Sequence, residues 1–239
     1  MKWLSLIILT LLISACEKEN RCFDQPGELT TITRTINSTY KTISIYDDLN
    51  VNFLNDSLSY VAITGGKNMV NNVVLSESGS HLTLSNDNKC LFMSNQDEIQ
   101  ITVHYSSMEE LLLFGYGVIE ITDKIQHNLH ISGYDCYSTI ALSLNNDSTT
   151  IALEGSPQIT AEGQSQYLYA YCIGSGNYHL ENLATQTCHG HNKSIGDFHL
   201  KASKAYILEL RSRGDIYLAD TTGTTRFITQ TGEGSIYYE

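Results

Sequence analysis

The C-terminal half of the chain repeats itself about every 20 residues, and that period decides what it can fold into. Apolar pairs two residues apart recur as Ile119/Ile121, Ile140/Leu142, Ile159/Ala161, Tyr178/Leu180, Phe198/Leu200, Ile216/Leu218 and Ile236/Tyr238. Their first members are spaced 21, 19, 19, 20, 18 and 20 residues apart. A glycine corner precedes most pairs, reading "GYG" at 115, "SG" at 132, "EGS" at 154, "GSG" at 174, "IGD" at 195, "RGD" at 213 and "GEG" at 232. A second apolar pair stands ahead of many corners, as in Leu111/Leu113, Leu129/Ile131, Ile151/Leu153 and Leu208/Leu210. Each unit therefore reads strand, glycine corner, strand, polar turn.

Successive side chains of a strand point to opposite faces, so each pair marks one inward stripe. A single unit of this size cannot bury its stripe alone. Stacking units at about 4.8 Å per level makes the stripes a continuous column and pairs every backbone N–H and C=O with the level above or below. The expected fold is all-β, a single-stranded parallel β-helix with rungs of roughly 20 residues. A propeller needs a period of about 40 or more, and a leucine-rich repeat needs a helical half. The segment "SSMEELLL" favours helix locally but falls where the repeat requires a strand. Glycine at the corners follows from close packing of successive backbones, so "GSG" at 174 calls for no phosphate ligand.

The chain opens "MKWLSLIILTLLISAC", a lysine followed by an apolar run too short to span a bilayer and then small residues. Residues 1–15 read as a signal peptide, and Ile13-Ser14-Ala15-Cys16 as a bacterial lipobox in which the Cys16 thiol is diacylated. Acyl chains anchor at about 0.8 kcal/mol per buried CH₂ without any transmembrane segment. Removal of the signal leaves 224 residues (239 minus 15), of which 16–28 form a lipidated cysteine and charged tether and 29–239 one all-β domain. The expected location is the cell envelope, as an outer-membrane lipoprotein facing the periplasm or the surface. Acidic residues after Cys16 resemble a Bacteroidota surface-export signal, which Lys18 interrupts.

Lys plus Arg number 14 against 26 Asp plus Glu, a net charge of −12 with no basic stripe, which argues against nucleic acid and anionic lipid as direct partners. Cys22, Cys90, Cys136, Cys172 and Cys188 lack the CxxC spacing of zinc sites. They read as small buried hydrophobes with at most two bridges, the pairing left open.

Upstream of the repeat the strand-rich segments are less regular. A strand leads into Gly65-Gly66-Lys67-Asn68, then "MVNNVVLSESGSHLTLSND" and "IQITVHYSSMEELLLFGYGVIEI". This order, with the corner pattern "FGYGVIEI" and "IGSGNYHL", resembles the head GIN domain family of auto-transporter adhesins over about residues 33–239. Ser106-Ser107-Met108 stands where a proline is often expected. The resemblance implies a right-handed β-helix on a secreted or lipid-anchored protein and carries over no catalytic residue.

Three chemical readings compete with a structural one. "CHGH" at 188–191 with His179 and His199 one rung apart offers metal ligands, yet ordinary polar surface explains them and no carboxylate partner is evident. "RGD" at 213–215 repeats the corner geometry of "IGD" and needs no receptor. Asp135, Asp197 and Asp215, with Arg211 and Arg213, outline a polysaccharide lyase or hydrolase, but Gln158 and Asn177 interrupt the carboxylate series. The expectation is a non-enzymatic binding or structural module, contacting glycan or protein through some of its 15 tyrosines, with no metal or cofactor. The last strand pair ends at Tyr238, so its rung is expected either to be covered by the N-terminal strands or to self-associate weakly.

Overall fold

The computed structural model describes residues 26–36, 40–88, 99–219 and 221–238. Cys16, Cys22, Cys90 and Glu239, like the whole signal and most of the tether, lie outside the described residues. After β1 (Leu29–Thr35), the chain makes a first rung from β2 (Thr42–Asp48) and β3 (Asn50–Asn55). It leaves the stack through β4 (Tyr60–Gly66), a one-turn helix α1 (Lys67–Val70) and β5 (Val73–Ser78), and lays β6 (His81–Asn86) and β7 (Gln100–Tyr105) against β2 and β3 as the end rung. It re-enters at β8 (Glu110–Tyr116) and β9 (Val118–Ile125), then coils through β10 (Leu129–Cys136), β11 (Thr139–Gly155), β12 (Gln158–Gly174), β13 (Asn177–His179), β14 (Leu183–Ser194), β15 (Phe198–Leu210), β16 (Ile216–Ala219), β17 (Thr225–Gln230) and β18 (Ile236–Tyr238).

Each return of the chain lies parallel to the previous one, giving a β-solenoid with rungs of about 20 residues. The apolar pairs fall into register. Val51, Ile119, Ile140, Ile159, Tyr178, Phe198, Ile216 and Ile236 form one column, each the register partner of the next. On the facing wall Ile43, Leu111, Ile131, Ile151, Ala170, Gly190, Leu208 and Ile228 form another. Bulk is exchanged between the walls. Tyr178 and Phe198 stack at 4.5 Å, 2° from parallel, and a Cβ on Gly190 would meet Leu200 at 2.8 Å, so the column narrows there to admit large neighbours. The buried Tyr178 hydroxyl reaches across to donate to the Tyr171 carbonyl at 2.8 Å.

Corner glycines follow from backbone proximity. Gly174 has φ +119, and a Cβ there would lie 2.1 Å from the carbonyl oxygen of Gly155 one rung below. The "GSG" loop is thus a stacked corner.

One expectation is met and three are refined. Strand β8 covers the helix-prone "ELLL", since pairing with β2 and β10 outweighs local propensity. Leu129/Ile131 is out of phase with the other upstream pairs: Ile131 aligns with Leu111, and the next inward position is Gly133. The N-terminal half is a cap as well as a coil. β6 and β7 continue the walls in parallel with β2 and β3, whereas β5 pairs antiparallel with β6, and β4 with β7 and β1. Finally, these strands cover the N-terminal end of the stack and not the C-terminal one. Among the described residues β17 pairs only with β15 and β18 only with β16, and Tyr238, although in column, is 52% exposed because no rung covers it.

Cys136, Cys172 and Cys188 are unpaired and buried, filling inward positions as hydrophobes. Burial pushes the Cys188 thiol up to about 12, so it stays protonated and unreactive at neutral pH.

If the column supplies the core, Phe198→Ala lowers unfolding free energy by about 3–5 kcal/mol. Chemical denaturation checks this; a loss below about 1 kcal/mol, the scale of surface changes, would contradict the assigned inward face.

Candidate binding faces

A solenoid shows the same side-chain position again about every 4.8 Å, so its surface consists of ladders. Three outward regions carry chemistry. At the corner joining β2 to β3, β8 to β9 and β10 to β11, aromatic residues recur. Tyr46 stacks on Phe114 at 4.6 Å, Phe114 meets Tyr134 edge-on at 4.8 Å, and Tyr116 stacks on Tyr137 at 5.0 Å. Tyr116 and Tyr134 remain 59% and 60% exposed, a contiguous aromatic strip facing solvent. Above it the same ladder continues as Glu154, Ile173 and Lys193, so the aromatic character is confined to one end.

The second region is a polar groove of about 520 Å³ on the side where β11, β12 and β14 turn between walls. Each of its ladders includes a side-chain amide. Gln164 donates to Asn145, Gln166 donates to Asp147, and Lys204 donates to Gln186 at 2.5 Å. These side chains satisfy one another along the axis.

The third region, a groove of about 610 Å³ beside β9, β11 and β12, contains His179 and Glu181 on its rim with Glu120 and Glu162. His179 and His199 are register partners with rings stacked at 4.9 Å. The pair proposed by spacing is therefore real, but "CHGH" does not join it. His189 and His191 belong to β14 on the facing wall, where they meet Tyr169 and Tyr171 edge-on, and Cys188 points into the core. Burial pulls the His191 imidazole below its ordinary value, while the Arg211 hydrogen bond holds the Glu209 carboxyl low. His191 and Glu209, 3.4 Å apart, therefore make no ion pair at neutral pH.

Glu181 is the residue that spacing missed. It follows β13 by two residues, beyond the strand, so the alternation that places His179 outward gives no information about it.

The corner carboxylates have a structural task. Asn177 Oδ1 accepts the Asp197 backbone N–H at 2.8 Å, Asp197 Oδ1 accepts that of Asp215 at 2.8 Å, and Asp215 Oδ1 accepts that of Ser235 at 2.7 Å. Asn50 does the same for Val118 at 2.8 Å. At these four steps a side-chain oxygen serves as acceptor for the next rung's amide, a role that Asn and Asp both fill. Gly214 of "RGD" sits where a Cβ would lie 1.9 Å from the Gly196 carbonyl oxygen. Corner packing thus accounts for both Gly214 and Asp215.

Residues 39–221 match the family model described as "Putative auto-transporter adhesin, head GIN domain". The chain belongs to the head GIN domain family. Among solved structures, a "putative adhesin" from Bacteroides fragilis superposes with a TM-score of 0.80 at 19% identity, over 90% of this chain and 100% of that one. A "putative adhesin" from Parabacteroides distasonis gives 0.62 at 14% identity, over 89% and 98%. A "Putative lipid binding protein" from the same species gives 0.58 at 17%, over 89% and 97%. These similarities show a shared fold. No curated protein matches the chain.

Proposed function

We propose that this chain is a lipid-anchored, non-catalytic binding module of the cell envelope that holds glycan against its aromatic corner. The exposed strip of Tyr46, Phe114, Tyr134, Tyr116 and Tyr137 carries the reading. Tyrosine combines an apolar ring for the C–H faces of sugars with a hydroxyl for their polar edges. The adhesin description of the family supports a binding role. Asp197 and Asp215 accept backbone amides in the corner ladder, which argues against their serving as the free acid and base of a lyase or hydrolase. The lipid-binding name of one neighbour is a weaker guide, because the solenoid interior is filled by side chains such as Tyr178 and Phe198. Lipid enters this reading as the covalent anchor on Cys16.

On a glycan array, the protein is expected to retain particular polysaccharides without releasing reducing ends or unsaturated products. Tyr116→Ala and Tyr134→Ala should each weaken retention by about 0.5–1.5 kcal/mol, roughly two- to tenfold in Kd. Turnover would establish the enzyme reading. Binding indifferent to both substitutions, or seen only with protein ligands, would remove the aromatic corner as the glycan site. For the anchor, Cys16→Ala should abolish palmitate labelling and membrane fractionation; labelling that persists would refute it.

A further inference from the structure

We propose that His179, Glu181 and His199 form a divalent-metal site of the zinc class, clamped across two adjacent rungs. The ligand atoms of these three residues all lie within 4.8 Å of one another. Two imidazoles and a carboxylate are a donor set that zinc takes, leaving a further position for water or an external ligand. Tetrahedral coordination requires ligand atoms roughly 3.3 Å apart, so side-chain rotation is enough to close them on an ion.

The geometry comes from the fold. Register pairing puts His199 directly on His179 with rings 22° from parallel. Tyr217 stacks beneath His199 at 4.5 Å, limiting the ring's freedom from the other side. Glu181, just past β13, turns back toward this pair.

A second observation points to a missing partner. Glu181 Oε2 is buried yet accepts no hydrogen bond from the protein. A desolvated carboxylate oxygen without a donor is costly and calls for a cation or water. Asn52, His189 and His191 also carry unpartnered buried atoms. Among the described residues, however, only Glu181 stands in a cluster of three metal-ligating groups. Glu120 and Glu162 line the same groove and add negative potential around the entrance. The site faces an open groove, so an ion there would be reachable by solutes. The inference is independent of the glycan reading, which concerns a different corner.

The test uses metal-free, detergent-solubilised full-length protein bearing no polyhistidine tag, titrated with zinc chloride in a calorimeter and with cobalt chloride in an absorption spectrometer. One zinc per chain is expected, with micromolar or tighter affinity, a rise in melting temperature and cobalt d–d bands of a nitrogen- and oxygen-ligated ion. His179→Ala and His199→Ala should each weaken binding at least tenfold and abolish the cobalt bands. Glu181→Gln, which keeps the side chain's size, should weaken it by a similar factor. His189→Ala, on the facing wall, should change nothing. Circular dichroism of each variant confirms that the outward substitutions leave the fold intact. Absence of zinc binding up to 1 mM (about 10³ above the micromolar scale) would overturn the site, as would binding undiminished in the His179 and His199 variants or lost in His189→Ala.

Discussion

Parallel, in-register pairing of each rung with the next is the constraint on which everything else depends. Once β11 lies on β12 from Thr139↔Gln158 to Gly155↔Gly174, every residue stands on the residue about 19 positions later. The chain must then satisfy the same steric and polar requirement repeatedly at each position. Inward positions must be apolar and mutually fitting, corners must tolerate a carbonyl against Cα, and outward positions become ladders. Burial of the apolar columns supplies the driving force, and the backbone pairing determines which residue meets which.

This constraint explains why so much of the solenoid is legible in the sequence. Ile140, Ile159, Tyr178 and Phe198 announce their column because inward positions recur with the rung, and Gly155 and Gly174 mark the corner because a Cβ has no room there. The cap is less legible for a physical reason. Strands β4 and β5 pair antiparallel with β7 and β6, so they repeat no neighbour's pattern and have only ordinary strand alternation to reveal them. Their task, closing the backbone edge at one end of the stack, is a requirement of topology more than of local composition. The slip at Leu129/Ile131 has the same origin: two adjacent inward positions can carry leucine, and only the partner Leu111 shows which one belongs to the column.

Outward chemistry follows a different logic, because ladder positions are selected one by one. His179 and His199 can be paired from their spacing, but Glu181 lies in a turn where no period applies. Asp197 and Asp215 look like chemistry in the sequence and prove to be acceptors for the next rung's amide. A carboxylate on such a corner must therefore be asked first which backbone N–H it serves. The aromatic strip passes that test, since its rings stack on one another and Tyr116 and Tyr134 stay largely exposed.

The register itself is open to direct measurement by oxidation of engineered cysteine pairs on the outward ladder at Glu154, Ile173 and Lys193, in a background with Cys22 and Cys90 changed to serine and the native Cys136, Cys172 and Cys188 buried and out of reach. Adjacent-rung partners lie about 4.8 Å apart, within the Cα separation a disulfide spans, whereas two rungs exceed the limit of about 7 Å. Glu154→Cys with Ile173→Cys should therefore cross-link within the monomer under mild oxidant, and Glu154→Cys with Lys193→Cys should not. Cross-linking of the second pair, or failure of the first, would contradict the stacked register from which the core, the corners and both proposed sites are built.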